Sequence, residues 1–133
     1  MSMLVQVALA LLASAQPQAD DCADALSQSE MNRCAAEDFA RADAELNAEY
    51  RRAVAWARDD DREERVAGDD RPGDEATLRA AQRAWVAFRD AHCRLEGYGE
   101  RGGSMEPMVY EMCRATLTRE RIAQLRPRPA PDE

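Results

Sequence analysis

Histidine is nearly missing from this chain: His92 is the only one in 133 residues. That scarcity removes multi-histidine metal centres from consideration and leaves little material for a nucleophile–histidine couple. The apolar–polar alternation of a half-buried strand is absent, and so is any internal repeat. No apolar run approaches the roughly 20 residues of a membrane span; the longest, Leu4 to Ala13, is broken by Gln6. No Cys-x-x-Cys pair occurs, and no glycine-rich segment carries the lysine and spacing that cradle phosphate. Positive charge is in deficit, 18 Lys and Arg against 26 Asp and Glu for a net −8. A nucleic-acid partner needs a basic face, so this balance argues against one.

The first fifteen residues, MSMLVQVALALLASA, carry no charge, and Ala13-Ser14-Ala15 supplies the small residues that signal peptidase reads. The sequence predicts a secretory signal over residues 1–15, cut before Gln16 or as late as residue 19. Export gives the four cysteines, Cys22, Cys34, Cys93 and Cys113, the meaning of a two-disulfide framework. Three pairings exist on paper. Cys22 and Cys34 would stand about 18 Å apart on one continuous helix at 1.5 Å per residue, so joining them requires a chain reversal, and Leu26-Ser27-Gln28 offers one. Cys93 and Cys113 flank a glycine-rich segment that lets two helices run antiparallel. The favoured pairing is therefore Cys22–Cys34 with Cys93–Cys113, each stabilising by about 3 kcal/mol on the loop-entropy account.

The acidity is concentrated. Asp59 to Glu75, DDDREERVAGDDRPGDE, has nine acids and three arginines for −6, Asp20, Asp21 and Asp24 add −3, and the remainder sums to +1. A cationic protein is a suitable partner for such a chain; a solvated linker that only maintains solubility is the plainer reading.

Three helices follow from the spacing. Ser27-Gln28-Ser29-Glu30 has the form of a capping box, and Met31, Ala35, Phe39, Ala42, Leu46, Tyr50, Ala53 and Ala57 make one apolar stripe running to about Arg58. Asp74 can cap a second helix ending near Glu96, with Leu78, Ala81, Trp85, Phe88, His92 and Leu95 at steps of three and four as its inner seam. Ser104 can cap a third, with Met105, Met108, Val109, Met112, Ile122 and Leu125 inward; Pro107 falls in its first turn, where it is tolerated. The expected fold is all-α, a three-helix up-down-up bundle stapled by two disulfides, spanning residues 20–125 with an acidic linker at 59–75. Residues 126–133, RPRPAPDE, read as a disordered proline-rich tail.

His92 then takes a seam position, while Cys93 points about 100° away, because adjacent helical residues do not share a face. The pair is poor geometry for thiol activation, and oxidation would consume the thiolate. Packing is the expected role of His92, with Trp85 and Phe88 filling the core; neither a catalytic residue, a metal nor a cofactor is assigned. Asp43 and Asn47 on the first helix, Gln82 and Arg89 on the second, and Thr118 and Arg121 on the third suggest an interhelical polar network. Asp43 or Glu45 with Glu49 could imitate the paired acids of a hydrolase, a coincidence that is cheap in so acidic a chain. The segment Gly97-Tyr98-Gly99-Glu100-Arg101-Gly102-Gly103-Ser104 is the most suggestive surface. Glycine permits close approach of backbone, and Tyr and Arg dominate interfaces. Tyr98, Arg101, Gly102, Gly103 and Ser104 are the candidate partner-binding residues; a tight connection at the base of a disulfide is the structural alternative.

The succession Glu30-Met31-Asn32, Cys34-Ala35, Ala42-Asp43, Leu46-Asn47, Tyr50, Ala81-Gln82, Ala84-Trp85, Phe88-Arg89-Asp90-Ala91, Cys93, Gly102-Gly103-Ser104, Pro107-Met108, Cys113 and Leu117-Thr118 with Arg121 resembles the LprI-type family. The resemblance spans about Cys22 to Leu125. It implies an exported, disulfide-bonded helical domain and, for at least some members, inhibition of lysozyme. The namesake type is a lipoprotein, but Ala19-Asp20-Asp21 before Cys22 lacks the small apolar residues of a lipidation site, so a soluble, unlipidated periplasmic or secreted protein is expected. The functional expectation is a non-catalytic inhibitor that occludes the lysozyme cleft, with the acidic linker raising the encounter rate. The alternative is a periplasmic envelope-stress or scaffold module that binds another protein or peptidoglycan.

Overall fold

In the computed structural model, residues 20–127 are described. The expected signal segment and tail residues 128–133 lie outside them. A one-turn helix α1 (Asp20–Ala23) precedes three long ones: α2 (Gln28–Glu63), α3 (Asp74–Gly97) and α4 (Glu106–Leu125), with a 3-10 turn at Tyr98–Glu100. The described chain contains no strand. The long helices run up, down and up, and α4 lies mostly against α2.

The start of α2 is the capping box that the sequence announces. The Ser27 hydroxyl accepts from Glu30 N at 3.2 Å, and Glu30 Oε2 accepts from Ser27 N at 2.9 Å. These bonds hold the Glu30 carboxyl below its ordinary pKa. At its other end α2 runs past Arg58 to Glu63, so the first third of the expected acidic linker is helical. The beginning of α3 also differs from expectation. Gly73, not Asp74, is the N-cap, and it offers no side chain. The cap comes from across the turn: Asp61 of α2 accepts from Asp74 N at 2.6 Å and Glu75 N at 3.1 Å. A Cβ on Gly73 would meet that Asp61 carboxylate, so a side chain here would have to push the cap aside. Likewise Met105 rather than Ser104 is the N-cap of α4, without a side-chain bond.

The core is small and rich in alanine. Ala35, Ala42, Leu46, Ala53, Val54 and Ala57 of α2 are buried, as are Ala115, Ile122 and Leu125 of α4; Leu46 and Ala53 pack with Ile122 and Leu125, and Tyr50, Leu78 and Trp85 lie against that cluster. Short side chains bring α2 and α4 close but exclude little apolar area from water, so covalent staples carry weight. Both disulfides form the favoured pairs, Cys22–Cys34 with Cα atoms 5.6 Å apart and Cys93–Cys113 at 5.4 Å. The chain reverses between Asp24 and Ser27, as the first pair demands.

The second helix is rotated from the expected phase. Gln82, Arg89, Cys93 and Gly97 are buried, whereas Ala81, Phe88 and Leu95 face water. Phe88 therefore does not fill the core; it is 57% exposed. Cys93 sets the phase, because its bond to Cys113 forces its face inward at 0% exposure. On α4 the correction is smaller: Met105 and Met112 are exposed, and Ala115 and Thr118 take the inner positions.

Candidate functional site

The glycine-rich segment closes one pole of the bundle as a rigid cap. The helical path of α3 continues through Tyr98, and Arg101 N donates to Tyr98 O at 3.2 Å. Gly102 adopts φ +78°, a left-handed conformation that strains other residues. Its N–H donates to Glu106 Oε2 at 2.8 Å, fixing the turn to the first residue of α4. Gly103 N donates to Glu100 O at 2.8 Å, and a Cβ there would press on that same carbonyl at 3.0 Å. Below the turn, Cys93–Cys113 binds the two helices, and Asn32 of α2 donates to Ser104 O at 3.0 Å. All five candidate partner-binding residues are exposed. The Arg101 guanidinium stands 4.4 Å from the centre of the Tyr98 ring, an arrangement that holds both side chains outward at little entropic cost on contact. An open depression beside them is lined by Arg94, Tyr98, Glu106 and Tyr110.

The six polar residues singled out on the three helices are brought together in two groups. Arg89 Nη1 lies 3.3 Å from both Asp43 Oδ1 and Thr118 Oγ1, and Asn47 donates to Asp43 Oδ2 at 3.4 Å. Arg121 Nε donates to Gln82 Oε1 at 3.0 Å. The Trp85 ring joins the groups, facing Arg89 at 5.1 Å and Arg121 at 5.9 Å. Burial pushes the Arg121 pKa down. Thr118 is 0% exposed and Arg89 4%, so the centre of this cluster lies in the packed interior, while Asp43, Asn47 and Arg121 carry it out to the surface.

Sequence reasoning missed part of this arrangement. Phe39 is clasped between Arg89 at 5.0 Å and Arg114 at 3.7 Å, and Asp90 accepts from Arg89 Nε at 2.9 Å. Arg114 Nε lies 3.3 Å from the same Asp90 oxygen, off the line of a hydrogen bond. The signal was compositional: all 18 cations are arginine and none is lysine. Guanidinium planes stack on rings where an ammonium would demand water, so an arginine-only chain can build its interior from such pairs.

The remaining candidates fall apart as sites. His92 is 39% exposed at its side chain, stacks on Phe88 with ring centres 5.3 Å apart, and has Nε2 3.8 Å from Glu96. It lies at the surface rather than in a core seam. The acids Asp43, Glu45 and Glu49 each face an arginine: Asp43 meets Arg89, Glu45 meets Arg126, and buried Glu49 meets Arg52 and Arg126. Arg126, the first residue of the expected tail, is thus tied to α2. Among the described residues, the one cluster with metal-ligand types is Cys22, Cys34 and Glu37. Its sulfurs are joined to each other, so no thiolate is left to ligate.

The opposite pole carries the acidic segment. Arg58 grips Glu75 with bonds of 3.0 and 2.8 Å, and Arg79 adds bonds of 3.1 and 2.9 Å. Together they hold the Glu75 carboxyl down at about 2. Since α3 runs the length between the poles, this segment stands about 36 Å from the glycine turn at 1.5 Å per helical residue.

Residues 19–125 match the family model described as lysozyme inhibitor LprI. An uncharacterised protein of Rhizobium meliloti (strain 1021) is 46% identical over 114 residues, which covers 86% of this chain and 82% of that one. No solved structure matches. The chain belongs to the LprI lysozyme-inhibitor family.

Proposed function

We propose that this LprI-family chain is an exported, non-catalytic protein that inhibits lysozyme by setting its glycine-rich turn into the enzyme's cleft. The observation that carries the reading is the rigid turn itself. Tyr98 and Arg101 project as a stacked pair from a pole fixed by Cys93–Cys113, by the φ of Gly102 and by the Asn32–Ser104 bond. A preordered projection loses little freedom on docking, so its contacts count toward affinity. Lysozymes work with two carboxylates in a cleft, and a guanidinium is the side chain suited to meet them. Arg101 takes that role in this proposal, with Tyr98 against the cleft wall.

The acidic pole has a different place in the mechanism from the one its charge suggests. Fields decay over about 10 Å at 0.1 M salt, far less than the length of α3. The segment around Glu75 therefore does not steer the turn, and it meets a cationic surface only on its own account. Disulfides belong to oxidising compartments, which supports residence in the periplasm or outside the cell after removal of residues 1–15 or slightly more.

Lysozyme turnover on cell-wall substrate, with and without the mature protein, tests the reading. Inhibition of at least one lysozyme type at micromolar concentration is expected, and no inhibition of several types at tens of micromolar rejects it. The double substitution Tyr98→Ala with Arg101→Ala should weaken inhibition at least tenfold. Unchanged potency would clear the turn of involvement.

A further inference from the structure

The rotation of α3 leaves an apolar line on its outer side. Ala81, Ala84, Phe88, Ala91, Leu95 and Tyr98 are all exposed and recur at steps of three and four, opposite the buried Gln82, Arg89 and Cys93. Phe88 is 57% exposed and Leu95 67%. Such spacing is the a/d seam of a helix that packs against another helix; among the described residues no element covers it.

We propose that a second copy of the chain covers this seam, α3 against α3 in antiparallel register, with the two-fold axis between Phe88 and Ala91. Side-chain size carries the assignment. In that register the facing layers are Phe88 with Ala91, Leu95 with Ala84, and Tyr98 with Ala81, each occurring twice. Every layer joins one large side chain to one alanine, the alternation that lets facing helices interlock without voids or collisions. A parallel pairing would instead stack Phe88 on Phe88 and alanine on alanine, leaving bulges beside gaps. Charge points the same way. The −6 segment lies at the N-terminal end of α3, so a parallel pair would bring two such segments together. The antiparallel pair separates them by the helix length, several screening lengths at 0.1 M salt.

The seam is about 26 Å long at 1.5 Å per residue. Six seam residues, half of them alanine, are few beside the roughly 20–30 residues a side of a standard interface, so association is expected at micromolar concentrations rather than nanomolar. Tyr98 belongs both to the seam and to the glycine turn. Pairing of two copies therefore withdraws part of the turn from other partners, a consequence that rests on the inhibitor reading, whereas the pairing itself does not.

Analytical ultracentrifugation of the mature, oxidised chain from about 5 to 500 μM, with no lysozyme present, tests the proposal. A monomer–dimer equilibrium is expected, weakened at least tenfold by Phe88→Glu or Leu95→Glu. Because both side chains are exposed, circular dichroism should report unchanged helicity in either variant. Arg51→Glu, on the outer face of α2, should leave association as it was. The register is read by a double variant, Ala84→Cys with Leu95→Cys: air oxidation should give a covalent dimer, since these positions are too far apart on one helix to bond within a chain. A wild-type chain that stays monomeric at 500 μM overturns the proposal, as does a dimer indifferent to both glutamate substitutions.

Discussion

The two poles of the bundle are held by different forces. At the glycine pole the restraints are covalent and conformational: a disulfide, a left-handed glycine, and short bonds from Gly102 and Asn32. At the acidic pole they are electrostatic, with one carboxylate capping α3 and another gripped by two arginines. The disulfide and the glycine backbone are indifferent to salt and mild acid, although the Gly102 bond ends on the Glu106 carboxylate; the restraints of the acidic pole are carboxylates throughout. A protein that must present an unchanging surface at one end is thus free to vary the other, and the proposed inhibitory surface sits where the main restraints, a disulfide and a left-handed glycine, do not titrate.

Removing the staple is the strongest way to break the contrast. Replacing Cys93 and Cys113 with alanine should cost about 3 kcal/mol, seen as a lower denaturation midpoint, and should loosen the turn and abolish inhibition. The same change at Cys22 and Cys34, which tethers only the single turn of α1, should leave inhibition intact. If both pairs mattered equally for inhibition, the glycine pole would have no special rigidity.

Local changes sharpen the comparison at each end. Asp61→Ala removes the cap that α3 borrows from α2 and should cost about 1 kcal/mol, with faster amide exchange at Asp74 and Glu75 and none at Gly102. Gly102→Ala forces a Cβ onto a φ of +78° and should also cost about 1 kcal/mol, this time with weaker inhibition. The mirror-image outcome, in which Asp61→Ala disturbs the turn, would mean that the poles are coupled through α3.

The smallest expected effect concerns pH. The Glu75 carboxyl is held at about 2, below its ordinary 4.5, and Asp38 is lowered by Arg119. Depressed carboxylates stabilise the fold fully above their unfolded pKa and lose that contribution as pH falls through the folded value. Thermal stability should therefore decline between about pH 4.5 and 2, and Glu75→Gln should flatten part of that slope. The acidic pole should open first in exchange measurements. A uniform loss along the chain would argue that these ion pairs do not act locally.

Much of the architecture was legible in the sequence because its signals are local. The Ser27–Glu30 box, the first stripe and the break at Pro72-Gly73 each follow from a few neighbouring residues. The phase of α3 was not legible from periodicity, because that helix carries two stripes at helical spacing. Leu78, Trp85, Phe88, His92 and Leu95 look like the inner one, yet buried Arg89 and Gln82 belong to it. Apolarity misleads where guanidinium–ring pairs such as Arg89 with Phe39 replace aliphatic contacts. Cys93 held the answer: a bonded cysteine must face its partner, and its phase fixes every other residue of the helix. The cap from Asp61 was invisible for another reason, since it depends on how two helix ends meet. Of the candidate surface, the positions of Tyr98 and Arg101 were readable, but their stacking was not.

The bond between Cys93 and Cys113 encloses the entire glycine turn in a covalent ring. A protease that nicks the chain between Tyr98 and Ser104 would release no fragment; the cut ends stay tethered through sulfur, and the molecule keeps its mass, apart from one added water, until a reductant arrives. Damage within this exposed turn is thereby survivable, whereas a cut in the exposed Glu64–Gly73 segment, which no disulfide encloses, is not held in this way.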